Sequence, residues 1–143
     1  MTTIRDVWIL AHSMTRSARQ LINERLRPLD LSSAEGNILL HMLMQEGPLC
    51  QEQLVDELDI SKAAVSRAVD SLAQKGYLQR EKDAQDKRFY QLILTGRARD
   101  AAPQIESAYQ AVYAQALTGI DPAEFDRLLA ILRQVVGNFN TKT

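Results

Sequence analysis

A mainly α-helical chain with one small β-hairpin is the fold class this sequence predicts. Three observations point to it. Apolar residues recur at helical spacing over six separate stretches, turn and cap residues punctuate them, and only two short runs, 77–82 and 88–94, read as extended. At 143 residues with 45% hydrophobic content, the chain is long enough for one cored domain and short for two. One domain over 1–143 is therefore expected.

The first helix runs from Ile4 to about Arg27, with Trp8, Ile9, Leu21, Ile22 and Leu26 in register until Pro28 stops it. Ser32 with Glu35 three residues on forms a capping box for a second helix, which Gly47-Pro48 ends. A short helix over Gln51–Leu58 buries Leu54, Val55 and Leu58. Three residues, Asp59-Ile60-Ser61, separate it from a helix over Lys62–Lys75, and Gly76 stands where a left-handed cap is needed. The extended runs Tyr77–Lys82 and Arg88–Leu94 flank the polar stretch 83–87, the pattern of a hairpin. Thr95 caps a long helix from Gly96 toward Leu117, with a kink expected at Pro103. Asp121-Pro122 then opens a last helix to about Asn138.

Charge is placed unevenly on a chain whose formal net charge is −1. From Ser61 to Arg99 nine basic residues face four acidic ones, a net of +5 that leaves the remainder at −6. A local basic surface on an acidic chain suits steering toward phosphate, although a solvated charged face has the same composition. The lone cysteine, Cys50, cannot make an intramolecular disulfide, and His12 and His41 belong to no cluster with metal-ligand spacing. No metal and no cofactor are expected. No phosphate-cradling glycine loop and no nucleophile–base arrangement appears, so catalysis is not expected either. No run approaches about eighteen apolar residues and the N-terminus lacks a signal-peptide core, so no membrane is expected and the cytoplasm is the expected location.

Two short helices joined by three residues form a helix-turn-helix, whose second helix can enter a major groove. Within Lys62–Lys75, Val65, Val69 and Leu72 make the inward stripe, while Lys62, Ala63, Ser66, Arg67 and Asp70 fall on the opposite face. Ala63 permits close approach to base edges, Arg67 carries a fork suited to guanine, and Ser66 reaches a base or a phosphate. The hairpin tip clusters Lys82, Lys87 and Arg88, a shape that can lay arginine along an adjacent minor groove. Helix, turn, helix and hairpin together read as a winged helix-turn-helix, with long N- and C-terminal helices around it.

These residues resemble the multiple antibiotic resistance (MarR) family of regulators. Leu54–Leu78 is similar to that family's helix-turn-helix, and Asp86-Lys87-Arg88 ending at Leu94-Thr95 is similar to its wing signature. The likeness covers about 31–99, while 1–30 and 100–143 are similar in pattern only. It implies that Ser61, Lys62, Ser66 and Arg67 contact the major groove or its phosphates, that Arg88 enters the minor groove, and that Asp86 orients it. With Ala63 and Lys87 these complete the expected DNA-binding set. One departure is Asp59, where such turns commonly carry glycine; aspartate reaches the left-handed region more readily than most residues.

The resemblance further implies a homodimer joined through helices of 1–30 and 100–143, reading half-sites about 34–36 Å apart on double-stranded DNA, hence an inverted-repeat operator. Val7, Trp8, Ile105, Val112, Tyr113, Leu128, Ile131, Leu132 and Val135 exceed what the small DNA unit can cover, so some of them need a second chain. The expected function is a sequence-specific transcription regulator, a repressor released by a small aromatic or phenolic ligand. Trp8, His12 and Arg16 lie four apart on one helix face and offer stacking, a titratable donor and a carboxylate fork. The same trio also suits an interface with no ligand. Gly36, in mid-helix, either opens space for that ligand or allows close helix packing. Two alternatives stand beside this reading: a winged-helix module that binds protein instead of DNA, and a thiol-based redox regulator using Cys50.

Overall fold

The structure is a computed structural model that describes residues 1–45 and 47–141. Its elements run α1 (Ile4–Leu26), a 3-10 turn (Arg27–Leu29), α2 (Ser33–Met44), α3 (Gln51–Leu58), α4 (Lys62–Gln74), β1 (Leu78–Lys82), β2 (Tyr90–Leu94), α5 (Gly96–Ala116) and α6 (Pro122–Phe139). The chain divides into two compact units, Met1–Val112 and Tyr113–Thr143.

Local chemistry fixes most boundaries in the first unit. The Ser32 hydroxyl accepts from the Glu35 amide at 3.2 Å while the Glu35 carboxylate accepts from the Ser32 amide at 2.9 Å, which closes the capping box of α2. Asp59 caps α3 in the left-handed conformation, φ 53° and ψ 50°, with its N–H donating to the Val55 carbonyl. The turn before α4 thus forms without glycine. Gly76, φ +84°, ends α4, and the Tyr77 amide returns to the Leu72 carbonyl at 2.9 Å. Thr95 caps α5, its hydroxyl accepting from the Ala98 amide at 3.3 Å. Helix α5 continues through Pro103 without interruption.

The two strands pair antiparallel, from Leu78 opposite Leu94 to Lys82 opposite Tyr90. Both begin later than the sequence pattern implies. Tyr77 turns inward, its hydroxyl donating to the Leu29 carbonyl at 2.7 Å, and Arg88 and Phe89 belong to the tip turn, where the Phe89 amide donates to the Asp86 carbonyl. A third piece completes this small sheet. Leu49 bridges Leu92, with backbone hydrogen bonds of 3.3 and 2.6 Å, so the loop between α2 and α3 is tied to the hairpin.

The core of this unit gathers Leu26 from α1, Ile38 and Leu39 from α2, Leu54 from α3, Val69 and Leu72 from α4, with Tyr77, Leu92 and Ile105 closing it. Each is an apolar side chain removed from water, the main favourable contribution to folding. Ile105 and Val112 need no second chain for their burial: they are 0% and 4% exposed inside this unit, because α5 lays that face against the core. At Gly36 the helices pack too closely for a side chain. A Cβ there would collide with Leu26 Cδ1 and come within 3.0 Å of the Tyr109 hydroxyl oxygen.

In the second unit, Asp121 caps α6 by accepting from the Ala123 amide, and Pro122 takes the first-turn position. Leu128, Ile131, Val136 and Phe139 are exposed on it. No helix among the described residues is long and apolar enough to cross a membrane.

Candidate nucleic-acid interface

Helix α4 turns its apolar stripe fully inward. Val65, Val69 and Leu72 are at most 1% exposed, and Ala68 joins them at 8%. By the 3.6-residue period, the opposite face carries Lys62, Ala63, Ser66 and Arg67. Lys62, Ala63 and Arg67 are exposed and Ser66 is half-buried. Ser61 is the N-cap, its hydroxyl accepting from the Ala64 amide at 3.1 Å. That bond commits the Ser61 oxygen to the helix end and leaves its hydroxyl proton available. The free amides of the first turn add partial positive charge beside Lys62.

A buried polar contact sets the height of this helix against α2. Glu35 is 5% exposed, and its carboxylate accepts from the Ser71 hydroxyl at 2.7 Å and from Lys75 Nζ at 3.0 Å on both oxygens. Lys75 Nζ also donates to the Asp30 carbonyl at 2.7 Å. Burial pushes the Glu35 pKa up, but the Ser32 amide, Ser71 and Lys75 more than offset it, so the carboxyl lies below its ordinary value. Sequence reasoning assigned Glu35 only to the cap of α2. Its partners Ser71 and Lys75 lie 36 and 40 residues further on, so no local pattern signalled this second role.

Next, Arg97 donates to the Lys75 carbonyl at 2.6 Å and stacks over the Tyr77 ring at 4.6 Å, which seats the end of α4 at the hairpin base.

At the hairpin tip, Asp86 holds Arg88 in a fork. Arg88 Nε donates to Asp86 Oδ1 at 3.0 Å, its terminal nitrogen to Oδ2 at 2.9 Å, and its backbone N–H to Oδ1 at 3.1 Å. The Arg88 side chain is nonetheless 84% exposed. The guanidinium lowers the Asp86 pKa, and the carboxylate raises that of Arg88. The loop repeats this device at Asp83, which accepts from the Gln85 amide at 2.8 Å and from Gln91. Lys87 is exposed beside Arg88.

Of the expected DNA-binding residues, then, five lie on the cap and outer face of α4 and three at the hairpin tip, all in the first unit. The other candidates are not gathered in this way. Trp8, His12 and Arg16 are exposed along α1, whereas Gly36 is buried in α2 against Leu26 and Tyr109. Cys50 is half-buried at the N-terminus of α3.

Comparisons with known proteins cover the same region of the chain. Residues 29–88 match the model of the MarR family, a span that holds the whole outer face of α4 and the hairpin tip. A MarR-family transcriptional regulator from Listeria monocytogenes, solved with a 26mer DNA, is 25% identical with a TM-score of 0.81, covering 96% of this chain and 89% of that one. Another transcriptional regulator is 26% identical with a TM-score of 0.83, covering 95% and 99%. A MarR regulator from Methanosarcina mazei, 22% identical with a TM-score of 0.82 over 94% and 96%, shares the fold. The matched span holds the helix-turn-helix and the wing as far as Arg88, and the chain is similar to the MarR family there while sharing its fold with these regulators.

Proposed function

We propose that this protein is a sequence-specific regulator of transcription that binds duplex DNA as a homodimer. One observation carries the reading: Lys62, Ala63 and Arg67 stand exposed on a helix whose opposite face is locked in the core, and a forked Asp86–Arg88 pair is presented on the hairpin of the same unit. Lys62, beside the helix N-terminus, anchors a phosphate, and Arg67 reads a base. Arg88 enters the minor groove, oriented by Asp86, with Ser61, Ser66 and Lys87 on flanking phosphates. The Listeria monocytogenes relative crystallised with DNA supports the same class of partner.

Dimerisation is supported by apolar surface left open in each unit. Trp8, Ile9, Leu10 and Met14 are at least half exposed on α1, as are Ile131, Val136 and Phe139 on α6. A partner copy covers such faces, and its twofold axis makes the operator an inverted repeat. In this reading the protein is a repressor, and an aromatic carboxylate at the Trp8, His12 and Arg16 face weakens its hold on DNA.

Affinity for a duplex recovered from random sequence, measured against salt, tests the assignment. Steep salt dependence with preference for the recovered duplex over mixed genomic DNA is expected. Equal affinity for both, or none for either, contradicts it, and a solution mass of one chain at micromolar concentration contradicts the dimer.

A further inference from the structure

Asp70 is out of place on a face meant for phosphate. It lies three residues past Arg67 and four past Ser66, hence on the same outward side of α4, and its side chain is 65% exposed. A bare carboxylate there repels the DNA backbone. Its oxygen, however, accepts from a terminal nitrogen of Arg80 on β1, and that nitrogen also lies 3.5 Å from Gln51 Oε1 at the start of α3. One guanidinium thus joins both helices of the helix-turn-helix to the base of the hairpin. Arg80 is 32% exposed where Arg88 is 84% exposed, so the first is held back and the second presented.

We propose that the Asp70–Arg80 pair, with Gln51, is a positioning brace that sets the hairpin base against α4 so that Arg67 and Arg88 engage one stretch of DNA together. The inference rests on the DNA-binding reading above. The brace also spends the Asp70 charge on Arg80 instead of leaving it to face phosphate. Arg80 acts through the hairpin and is not itself a phosphate contact. An exposed pair of this kind changes a folding equilibrium by about fivefold at most, so its signature belongs in DNA affinity and not in thermal stability.

The test is a double-mutant cycle on the full chain, read as affinity for a duplex recovered by selection from random sequence, with thermal melting alongside. Asp70→Asn and Arg80→Gln should each weaken binding, by about threefold to tenfold in a dimer that carries two braces. The double variant should be no weaker than the poorer single, Asp70→Glu should recover most of the loss, and melting temperatures should stay close to that of the wild type. If Asp70→Asn binds as tightly as the wild type or more tightly, or if the two losses multiply, the brace is refuted and Arg80 is an independent cation. Wild-type protein that binds no duplex removes the DNA-binding reading and the brace with it, whereas wild-type binding with Asp70→Asn unimpaired removes the brace alone.

Discussion

Helix α4 and the hairpin tip both present basic side chains, yet they are positioned by different forces. The helix is held by its buried stripe, Val65, Val69 and Leu72, and by the clamp from Glu35 to Ser71 and Lys75. The tip is held by contacts within 83–91, chiefly the forks and turns made by Asp83 and Asp86, in a segment whose side chains are largely in water. Displacing the helix therefore means disturbing the core. The tip, by contrast, can be altered with little consequence for folding. On the proposed function, a helix anchored in this way holds its outward side chains in a fixed register.

The largest effect expected from breaking this contrast is in the core. Leu72→Ala should cost about 2–5 kcal/mol in denaturant-induced unfolding, through lost burial and a cavity, while the protein that remains folded keeps its sequence preference. A shift of preference at unchanged stability would show that the stripe does not hold the helix in place.

Glu35→Gln comes next, at about 1.5–3 kcal/mol, since a buried carboxylate with two charge-assisted bonds to Lys75 is replaced by a neutral amide. Its pH dependence has a definite sign. The folded-state pKa of Glu35 is lowered, so its contribution is present above its ordinary value of 4.5 and is lost as pH falls through the folded-state value. Melting temperature followed downward from pH 5 should drop more steeply in the wild type than in Glu35→Gln; parallel curves would contradict the clamp.

Smaller again is Gly36→Ala. Its methyl overpacks against Leu26 and the Tyr109 hydroxyl, which costs about 1–3 kcal/mol, and the better helix propensity of alanine returns roughly 1. A net gain in melting temperature would mean that α1 and α5 yield at this crossing.

At the tip the effect on folding should be the smallest, with the melting temperatures of Asp86→Ala and Arg88→Ala staying close to that of the wild type. Binding should nevertheless separate them. Arg88→Ala should flatten the slope of log affinity against log salt by about 0.9 for each phosphate released. Asp86→Ala should weaken affinity less, by loosening the arginine; tighter binding would mean that the carboxylate only repels DNA.

How much of this was legible in the sequence follows from the same contrast. The helix ends were readable because caps act within four residues: Ser32 with Glu35, Asp59, Gly76 and Thr95 all sit where local chemistry needs them. The outer face of α4 was readable from its period, and the Asp86–Arg88 fork from the likeness to the family's wing signature together with its place at the hairpin tip. What escaped was non-local. Glu35 meets Ser71 and Lys75 across 36 and 40 residues, and no pattern around Glu35 announces that. The Leu49–Leu92 bridge is a single pairing with no alternation to reveal it. Ile105 and Val112 read as surplus apolar surface because the area that α5 covers depends on how it crosses the core.

The central claim is that Arg67 reads a base while Lys62 anchors the backbone, and competition binding against every single-base change in a selected operator tests it most directly. Arg67→Ala should flatten the preference at one position in each half-site, where a forked contact to guanine discriminates by about 1–3 kcal/mol. Arg67→Lys should restore it poorly for want of the planar fork, and Lys62→Ala should weaken all sequences alike. If Arg67→Ala instead lost affinity equally for every sequence with its preference intact, Arg67 would be a phosphate contact and the assignment of roles on α4 would be wrong.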